Sequence, residues 1–421
     1  MSPKTIRVFE FDRLAVGAQR RSTDGGRIRF TASHFEELVR FQDAQASRFL
    51  RVGHRQVQFL NYVGFLQLRD LGIEILPKID RTARDESLWR DALLDMLVTA
   101  GRLQLSAPTR AQLETRRAPL LDIYLSHFLE RVESLIREGL TRGYRKVQGN
   151  LNVFRGRLLT AQHIRANSTL AQRCYSEHQV YDFDHPANQL LRSALDVLHR
   201  RPLRHDLSIR VVRLRDSFFD RVRPLDDPTR LDRIVVTRAT ARYAEALDIA
   251  RMIIRNRSPT MAQGGQSALA LLFDMNRLWE AYVFSLLRSE APPELRITKQ
   301  QSRKFWSPEG GRVTTVRPDI VVSDRRSEKP LLVVDTKWKM PRSGGPGASA
   351  LRQMFVYNEL FDCARALLLY PGHPDERTST RGNFVGQSHR CDIARLALLT
   401  DGGRFDRKVV RARARALLAE A

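Results

Sequence analysis

Two aspartates and a lysine stand at the ends of neighbouring apolar segments in the carboxyl-terminal part of the chain. Asp319 opens one segment, and Asp335 closes the next, two residues before Lys337. Short β-branched segments predict strands, and the polar stretch 323–330 between them predicts a turn. In an antiparallel hairpin the start of the first strand lies beside the end of the second. We therefore expect Asp319 and Asp335 to meet at one edge of a sheet.

Side chains alternate along a strand, which puts Asp335 and Lys337 on one face and Thr336 on the other. Carboxylate and carbonyl oxygens suit magnesium, so Asp319, Asp335 and the backbone carbonyl of Thr336 are the predicted metal ligands. A magnesium ion there would polarise a phosphate and acidify a water, while Lys337 orients that water or neutralises charge. The predicted chemistry is phosphodiester cleavage with Asp319, Asp335 and Lys337 as catalytic residues. The alternative is a surface hairpin with charged ends.

Polar residues in flanking segments could serve the same site. Glu280, on a predicted helix, is either a catalytic residue that contacts metal or water, or a plain surface glutamate. Gln353 and Tyr357 are spaced i and i+4, so they share a helix face that either positions the DNA backbone or is simply half-buried. Lys339 and its neighbour Trp338 either touch DNA or serve as solvated charge and packing. The DNA-binding candidates are therefore Gln353, Tyr357 and Lys339.

The charge balance favours a polyanionic partner. Lysine and arginine number 71 against 47 aspartate and glutamate residues, a formal net charge of +24. Such an excess repels itself unless it meets an opposite charge, and the planar guanidinium suits phosphate. The alternative is a GC-rich genome that favours arginine codons, but codon usage does not require an excess of base over acid. Nucleic acid is the expected partner.

The elements around the candidate site follow an α/β order. The predicted elements are a helix at Leu269–Arg288, strands at Leu295–Lys299, Arg312–Val316, Asp319–Val322 and Leu331–Asp335, a helix at Leu351–Cys363 and a strand at Arg365–Leu369. A helix, a β-meander, then a helix and a strand is the order of a nuclease core. The loop 341–350, rich in Gly and Ser, is expected to be disordered until DNA binds.

The rest of the chain predicts a multidomain α+β and α/β protein. Residues 1–85 are β-rich, and the strands expected between Gln56 and Ile79 predict a small barrel or curled sheet. Residues 86–256 predict a mainly helical region with a short β segment. Helices are expected at Pro186–His199 and Arg238–Arg255. Residues 257–267 are the best candidate linker. The carboxyl-terminal domain is then 268–421.

Several classes of site are not supported. Three cysteines without CxxC spacing favour neither a disulfide framework nor a zinc site, and no GxxxxGK[ST] motif for nucleotide phosphates occurs. No stretch approaches the roughly 18 apolar residues of a membrane span. The start of the chain lacks an apolar signal core, so a cytoplasmic protein without a membrane partner is expected.

Five motifs, in a fixed order, carry a resemblance to a known family. They are Asn61-Tyr62-Val63-Gly64-Phe65-Leu66-Gln67-Leu68 with Ile73-Glu74-Ile75-Leu76-Pro77-Lys78-Ile79, Phe154-Arg155-Gly156-Arg157-Leu158, Asp184-His185-Pro186-Ala187-Asn188-Gln189-Leu190-Leu191, Met275-Asn276-Arg277-Leu278-Trp279-Glu280, and the paired acids. With these motifs the sequence resembles McrC, the nuclease subunit family of McrBC modification-dependent restriction systems. The similarity runs through most of the chain.

The resemblance implies a carboxyl-terminal PD-(D/E)xK endonuclease domain that cuts double-stranded DNA with Mg²⁺. It also implies a partner, an McrB-like AAA+ GTPase hexamer that binds GTP, reads 5-methylcytosine and is stimulated by this chain. The amino-terminal part is expected to enter that ring. Arg48, Arg51 and Arg55 either reach the partner or are solvated.

Two other functions remain open. A RecB-like exonuclease or a junction resolvase would share the metal site but act without a partner. An adaptor would bind DNA and regulate an AAA+ ring without cutting. The intact set of Asp319, Asp335 and Lys337 argues against the adaptor, since a decayed nuclease has no reason to keep all three.

Overall fold

The computed structural model describes residues 4–44, 49–78, 86–103, 119–169, 172–255, 268–339, 345–372, 379–400 and 403–419. The predicted linker 257–267, Arg48 and the first part of the loop 341–350 lie outside these residues.

Helices and strands of mixed order make up the described residues. The helices are α1 (Ala32–Ala44), α2 (Glu86–Thr99), α3 (Leu120–Arg137), α4 (Thr160–Asn167), α5 (Pro186–His199), α6 (His205–Phe219), α7 (Ala244–Arg255), α8 (Met275–Glu290), α9 (Ala348–Phe361) and α10 (Arg407–Ala419), with 3₁₀ turns at Pro228–Arg233 and Arg238–Tyr243. The strands are β1 (Lys4–Phe9), β2 (Arg13–Ala15), β3 (Gln19–Arg21), β4 (Arg27–Arg29), β5 (Leu50–Gly53), β6 (Gln56–Phe59), β7 (Tyr62–Gln67), β8 (Leu71–Leu76), β9 (Gly143–Leu151), β10 (Arg157–Leu158), β11 (Cys174–Asp182), β12 (Leu269–Asp274), β13 (Leu295–Lys299), β14 (Arg303–Trp306), β15 (Thr314–Val316), β16 (Ile320–Asp324), β17 (Pro330–Thr336), β18 (Arg365–Gly372), β19 (Ser379–Thr380) and β20 (Arg390–Ala397).

The chain is a mixed α/β protein that falls into two compact units. The first comprises Met1–Lys4, Gln67–Gly72 and Ala118–Leu271, and the second comprises Thr5–Leu66, Ile73–Arg117 and Leu272–Ala421. These units interleave along the chain, so they do not follow the predicted boundaries of 1–85, 86–256 and 268–421. Those three segments stay a prediction about functional domains.

A six-stranded sheet, called the central sheet below, organises the second unit. Its order is β13-β16-β17-β18-β20-β19, with β13, β16 and β17 antiparallel and β17, β18 and β20 parallel. One face packs under α9, where Val321, Val333 and Leu368 meet Met354 and Phe361 in a buried apolar cluster. Burying such side chains stabilises a fold by roughly 1.5–3 kcal/mol each.

The predicted antiparallel pairing of the two strands with terminal acids is confirmed. Ile320 lies opposite Val334, and Val321 lies opposite Val333. This register puts Asp319, just before β16, beside the last residues of β17. The predicted strand at Leu295–Lys299 is also confirmed. The predicted β-meander is wrong in one strand, because Thr314–Val316 pairs with Arg303–Trp306 in a separate two-stranded sheet.

The predicted helix at Leu269–Arg288 is wrong in its first turns. Leu269–Asp274 forms β12, which pairs with β7 in the sheet β1-β8-β7-β12. The apolar run suits a buried strand as well as a helix, and pairing decided the outcome. The helix begins at Met275 because Asp274 caps it, accepting from the backbone N–H of Asn276 at 2.9 Å and of Arg277 at 3.2 Å.

The strands of the predicted amino-terminal barrel lie in separate small sheets in the described residues. Besides the sheet β1-β8-β7-β12, strands β2, β6 and β5 form a three-stranded sheet, and β3 and β4 form a two-stranded ribbon. The ribbon turns at Asp24-Gly25-Gly26. Gly25 has a φ of +95°, a conformation that favours glycine.

The first unit combines helices with a long antiparallel hairpin. Helix α5 matches its predicted bounds, whereas the predicted helix at Arg238–Arg255 starts as a 3₁₀ turn before α7. Strands β9 and β11 pair over nine residues each, so this region holds more strand than the sequence pattern indicated. Among the described residues, no helix is both long enough and apolar enough to span a membrane.

Two motifs of the resemblance have structural roles in this unit. Gly156 has a φ of +71°, and a Cβ there would lie 2.2 Å from the carbonyl oxygen of Glu177, so only glycine fits. Asp184 accepts from the backbone N–H of Arg223 at 2.9 Å. Asn188, fully buried, donates to the carbonyls of Thr141 and Phe183, both at 2.8 Å.

Candidate active site

Asp319 is tied directly to the end of β17. Its Oδ2 accepts from the backbone N–H of Thr336 at 2.7 Å and from the hydroxyl of Thr336 at 2.8 Å. The other oxygen, Oδ1, takes part in neither bond. Thr336 therefore positions Asp319 through its N–H and hydroxyl, while the predicted contact of its carbonyl with a metal stays a prediction.

The side chains of Asp335 and Lys337 lie together on the face of the strand opposite the Thr336 side chain, as strand alternation predicts. Lys337 Nζ is 2.6 Å from Asp335 Oδ2. Gln353, on α9, donates to Asp335 Oδ1 at 3.3 Å and accepts from Lys337 Nζ at 3.3 Å. One glutamine thus contacts both charged groups and fixes their spacing.

Tyr357 links the glutamine to the hairpin. The amide of Gln353 donates to the Tyr357 hydroxyl at 2.7 Å, and that hydroxyl donates to the carbonyl of Arg317 at 3.1 Å. Burial raises the pKa of Tyr357 to about 12, and the charges of Asp335 and Asp319 add to the rise. The tyrosine is therefore a neutral hydrogen-bonding group that holds α9 to the hairpin β16–β17.

Asp335 is buried in surroundings that oppose its charge. It is 2% exposed, and burial raises its pKa to about 6, with a further rise from Asp319 that Lys337 partly offsets. Its Oδ2 is close to Lys337 but receives no well-aligned hydrogen bond from the described residues. The carboxylate therefore has bonding capacity left over.

Glu280, on α8, belongs to the same electrostatic cluster. It is half-buried, and its Oε1 accepts from the amide of Gln300 at 2.9 Å. Burial raises the pKa of Glu280, and the neighbouring charge of Asp319 raises it further. The catalytic role of Glu280 stays a prediction.

Gln300 was missed at the level of sequence. Its backbone N–H donates to the carbonyl of Asp319 at 3.1 Å, and its φ of +54° turns the chain at the end of β13. Nothing in its residue type marks it out. The pairing of β13 with β16 would have revealed it, since that register puts Lys299 opposite Ile320.

Trp338 is buried, whereas its neighbour Lys339 is exposed. Trp338 is 5% exposed, donates from Nε1 to Glu10 Oε1 at 2.7 Å and packs against Trp279 with ring centroids 5.5 Å apart. It is a packing residue. Lys339 is exposed, and none of the hydrogen bonds of the site described above involves it.

The donor set fits a hard divalent cation. Two carboxylates converge, each with an oxygen that accepts no hydrogen bond, and a lysine and a glutamine hold their spacing. Magnesium commonly uses one or two carboxylates and completes its shell with water and substrate phosphate. Over the described ranges no group of three or more His, Cys, Asp or Glu side chains is suited to hold a metal.

Comparison with known proteins gives a family and a fold. The family model described as McrBC 5-methylcytosine restriction system component matches residues 57–371, more than half of the chain. A chain of the refined half-complex from a tetradecameric assembly of Thermococcus gammatolerans McrB AAA+ hexamers with bound McrC is 19% identical, with a TM-score of 0.65 over 99% of both chains. A cryo-EM structure of the Thermococcus gammatolerans McrBC complex is also 19% identical, with a TM-score of 0.48 over 68% of this chain and 88% of that one. No curated protein matches the chain.

Proposed function

The chain belongs to the McrBC family of 5-methylcytosine restriction system components, and from that premise we propose that it is the magnesium-dependent DNA endonuclease subunit of such a system. The observation that carries the proposal is the convergence of Asp319, Asp335 and Lys337 at one edge of the central sheet. Residues 268–421 would form its PD-(D/E)xK nuclease domain. An acid before one strand, and an acid and a lysine ending the next, is the arrangement that such a domain needs.

Each side chain has a role in this chemistry. Asp319, Asp335 and the carbonyl of Thr336 would hold Mg²⁺, which supplies charge to polarise the scissile phosphate and to lower the pKa of a water. Lys337 orients the attacking water or neutralises the phosphate. Gln353 holds Asp335 and Lys337 at a fixed distance, so the reacting groups need little reorganisation.

The raised pKa of Asp335 couples metal binding to pH. Without a cation its pKa of about 6 keeps a share of the carboxyl groups protonated in mildly acidic solution. Metal ligands must be deprotonated, so binding would release that proton. Activity is therefore expected to rise with pH through this range.

The expected partner is an McrB-like AAA+ GTPase hexamer. The likeness in fold to a chain of the McrB–McrC assembly, over 99% of both chains, supports this proposal. The partner would bind GTP and read the modified cytosine, and this chain would stimulate its GTPase. The phosphate-binding motif GxxxxGK[ST] is absent from this sequence, in keeping with a nucleotide bound by the partner.

Double-stranded DNA would be held beside the metal site. Lys339 is exposed two residues after Lys337 and could contact a phosphate. Gln353 and Tyr357 would position the DNA backbone indirectly, through the side chains of Asp335 and Lys337 that Gln353 contacts. The net charge of +24 supports a polyanionic substrate. The complex would act in the cytoplasm.

The test is DNA cleavage by the wild-type chain and by Asp319→Asn, with the AAA+ partner, GTP and Mg²⁺ each present or left out. Asp324→Asn, at the far end of the same strand, is the matched control. We expect cleavage only by wild type and the control, and only with all components. Cleavage without partner and GTP would favour the autonomous nuclease. No cleavage by a complete, GTP-hydrolysing complex on methylated DNA would favour the adaptor.

A further inference from the structure

The ribbon β3–β4 carries an exposed set of arginines in the second unit. Arg21 lies directly opposite Arg27, and Gln19 lies opposite Arg29. Alternation puts these four side chains on one face, and all of them are exposed. Like charges directly opposite each other destabilise a sheet. A pair such as Arg21 and Arg27 thus costs stability unless an anion neutralises it.

The neighbouring sheet β2-β6-β5 adds two more arginines. Gln58, on the middle strand, has Arg13 opposite it on one side and Arg51 on the other, so the three form one row across the sheet. Both arginines are exposed, whereas Leu14 and Val57, of the other parity, are buried. The outward face is therefore basic.

These five arginines, Arg13, Arg21, Arg27, Arg29 and Arg51, are called the amino-terminal arginine surface below. None forms an ion pair with another described residue. Two arginines of the first unit show the contrast: Arg145 pairs with Asp182 at 2.8 Å, and Arg215 pairs with Asp196 at 2.7 Å. The positive charge of the surface is thus uncompensated.

The ribbon is fixed in place. At its tip the Ser22 hydroxyl donates to the carbonyl of Thr5 at 3.1 Å, and Thr23 N–H donates to the same carbonyl at 2.9 Å. At its base Gly17 N–H donates to the carbonyl of Phe30 at 2.7 Å. A backbone held at both ends presents its arginines without an ordering cost for the ribbon itself.

A hydrogen bond links the end of β17 to the residues just before the arginine surface. Trp338, next to Lys337 in sequence, donates to Glu10 at 2.7 Å. Asp12, two residues on, pairs with Lys78 at 3.0 Å, and Arg13 follows at once. A hydrogen bond therefore joins the residue after Lys337 to Glu10, which stands three residues before Arg13 in the sequence.

We propose that the amino-terminal arginine surface binds the phosphate backbone of double-stranded DNA beside the cleavage site. The proposal rests on the proposed function, because it assumes DNA as the substrate. Guanidinium groups bind phosphate oxygens in pairs and are favoured for this purpose. The outward face of the ribbon carries Gln19, Arg21, Arg27 and Arg29 without an apolar side chain, whereas the core of a protein interface is poor in charge. A nucleic acid fits this face better than a protein.

The test measures DNA binding separately from cleavage. Complexes carrying Asp335→Asn, with partner and GTP, bind a fluorescent duplex at several salt concentrations, with and without Arg21→Ala, Arg27→Ala and Arg29→Ala together. The logarithm of the DNA association constant falls with the logarithm of the salt concentration, and each phosphate contact adds about 0.9 to the magnitude of this slope. Loss of three contacts should therefore reduce that magnitude by about 3. Lysine at the three positions should restore most of the slope.

The matched control removes three exposed arginines of the first unit, Arg165, Arg213 and Arg238. The slope should then stay near that of the parent. An equal decrease in the control would show a general charge effect and would overturn the proposal. So would an unchanged slope in the ribbon variant, or a loss of GTPase stimulation with DNA binding intact, which would indicate a protein partner.

Failure of the proposed function would look different. A complex that binds DNA through the ribbon but does not cut when Asp335 is present would refute the nuclease while leaving the arginine surface standing. A complex that cuts DNA, and whose salt dependence of binding is the same with and without the ribbon arginines, would refute only the proposal about the arginine surface.

Discussion

Asp335 and Asp392 are both buried in the central sheet, yet their surroundings differ. Asp335 pairs in register with Leu368 and Asp392 with Leu367, so the two aspartates lie on opposite faces. They are 2% and 1% exposed, and each has one oxygen without a hydrogen-bond donor among the described residues. Burial and hydrogen bonding alone do not distinguish them.

The charges around the two aspartates make the difference. Asp392 lies 2.7 Å from Arg365 and 3.5 Å from Arg390, and arginine keeps its charge at any ordinary pH. Asp335 has one lysine and faces the carboxylates of Asp319 and Glu280. We infer that Asp392 has a structural role, because two arginines neutralise its charge. Asp335 has fewer positive than negative neighbours, which is the charge balance that a cation site requires.

The largest expected effect on stability is at Asp392. Asp392→Ala removes the carboxylate that lies 2.7 Å from Arg365, which is itself 7% exposed. Breaking a buried pair in this way costs about 3–5 kcal/mol, measured as the free energy of unfolding in denaturant. The exposed Asp216, changed to alanine, should cost less than about 0.5 kcal/mol. A stable Asp392→Ala protein would remove the contrast between the two faces.

A pH series without metal sharpens the comparison at Asp335. Its pKa of about 6 in the folded protein exceeds the ordinary value of 3.8, so the folded state prefers the protonated carboxyl. This stabilisation is complete below the unfolded pKa and is lost as pH rises through about 6. With EDTA present, the unfolding free energy of wild type relative to Asp335→Asn should fall by about 2 kcal/mol between pH 4 and 7. A difference that stays flat or rises with pH would contradict the deficit of positive charge.

Trp338 offers a smaller test, because it joins the amino-terminal residues to the catalytic strand. Trp338→Phe keeps an aromatic ring beside Trp279 but removes the donor to buried Glu10, at a cost of about 1–3 kcal/mol. Burial raises the pKa of Glu10 to about 7. Glu10→Gln in the same protein removes the buried charge. The double variant should therefore lose less unfolding free energy at pH 8 than the two single variants lose together. Strict additivity would show that the two groups are not coupled.

The smallest expected effect is at Glu280, the outermost of the three acids. Glu280→Gln keeps an acceptor for Gln300 and should lower the cleavage rate about 10-fold, or about 1.4 kcal/mol. The unfolding free energy should not fall, since one of two neighbouring carboxylate charges is removed. A loss as large as that of Asp335→Asn would make Glu280 an essential ligand instead.

The sequence predicted the hairpin because its signals are local. Two short apolar segments, a polar turn and acids at defined ends were enough to fix the pairing of β16 with β17. Helix α5 was likewise predictable from its Pro186 start and apolar spacing. The catalytic roles of Asp319, Asp335 and Lys337 stay proposals.

The features that the sequence did not reveal depend on partners far away along the chain. Leu269–Asp274 is a strand only because β7 lies beside it, and the link between Glu10 and Trp338 spans 328 residues. Strand β11 carries polar and charged residues on both faces, so its alternation is weak. Its pairing with β9 supplies what the local pattern lacks.

The most direct test of the central claim is the rate of DNA cleavage by the complete complex with Mg²⁺ when Asp335 is changed to asparagine. We expect a loss of at least about 1,000-fold, roughly 4 kcal/mol in the barrier, in a protein that unfolds no more easily than wild type at pH 7.5. Cleavage within about 10-fold of wild type would contradict the assignment of Asp335 to the metal site.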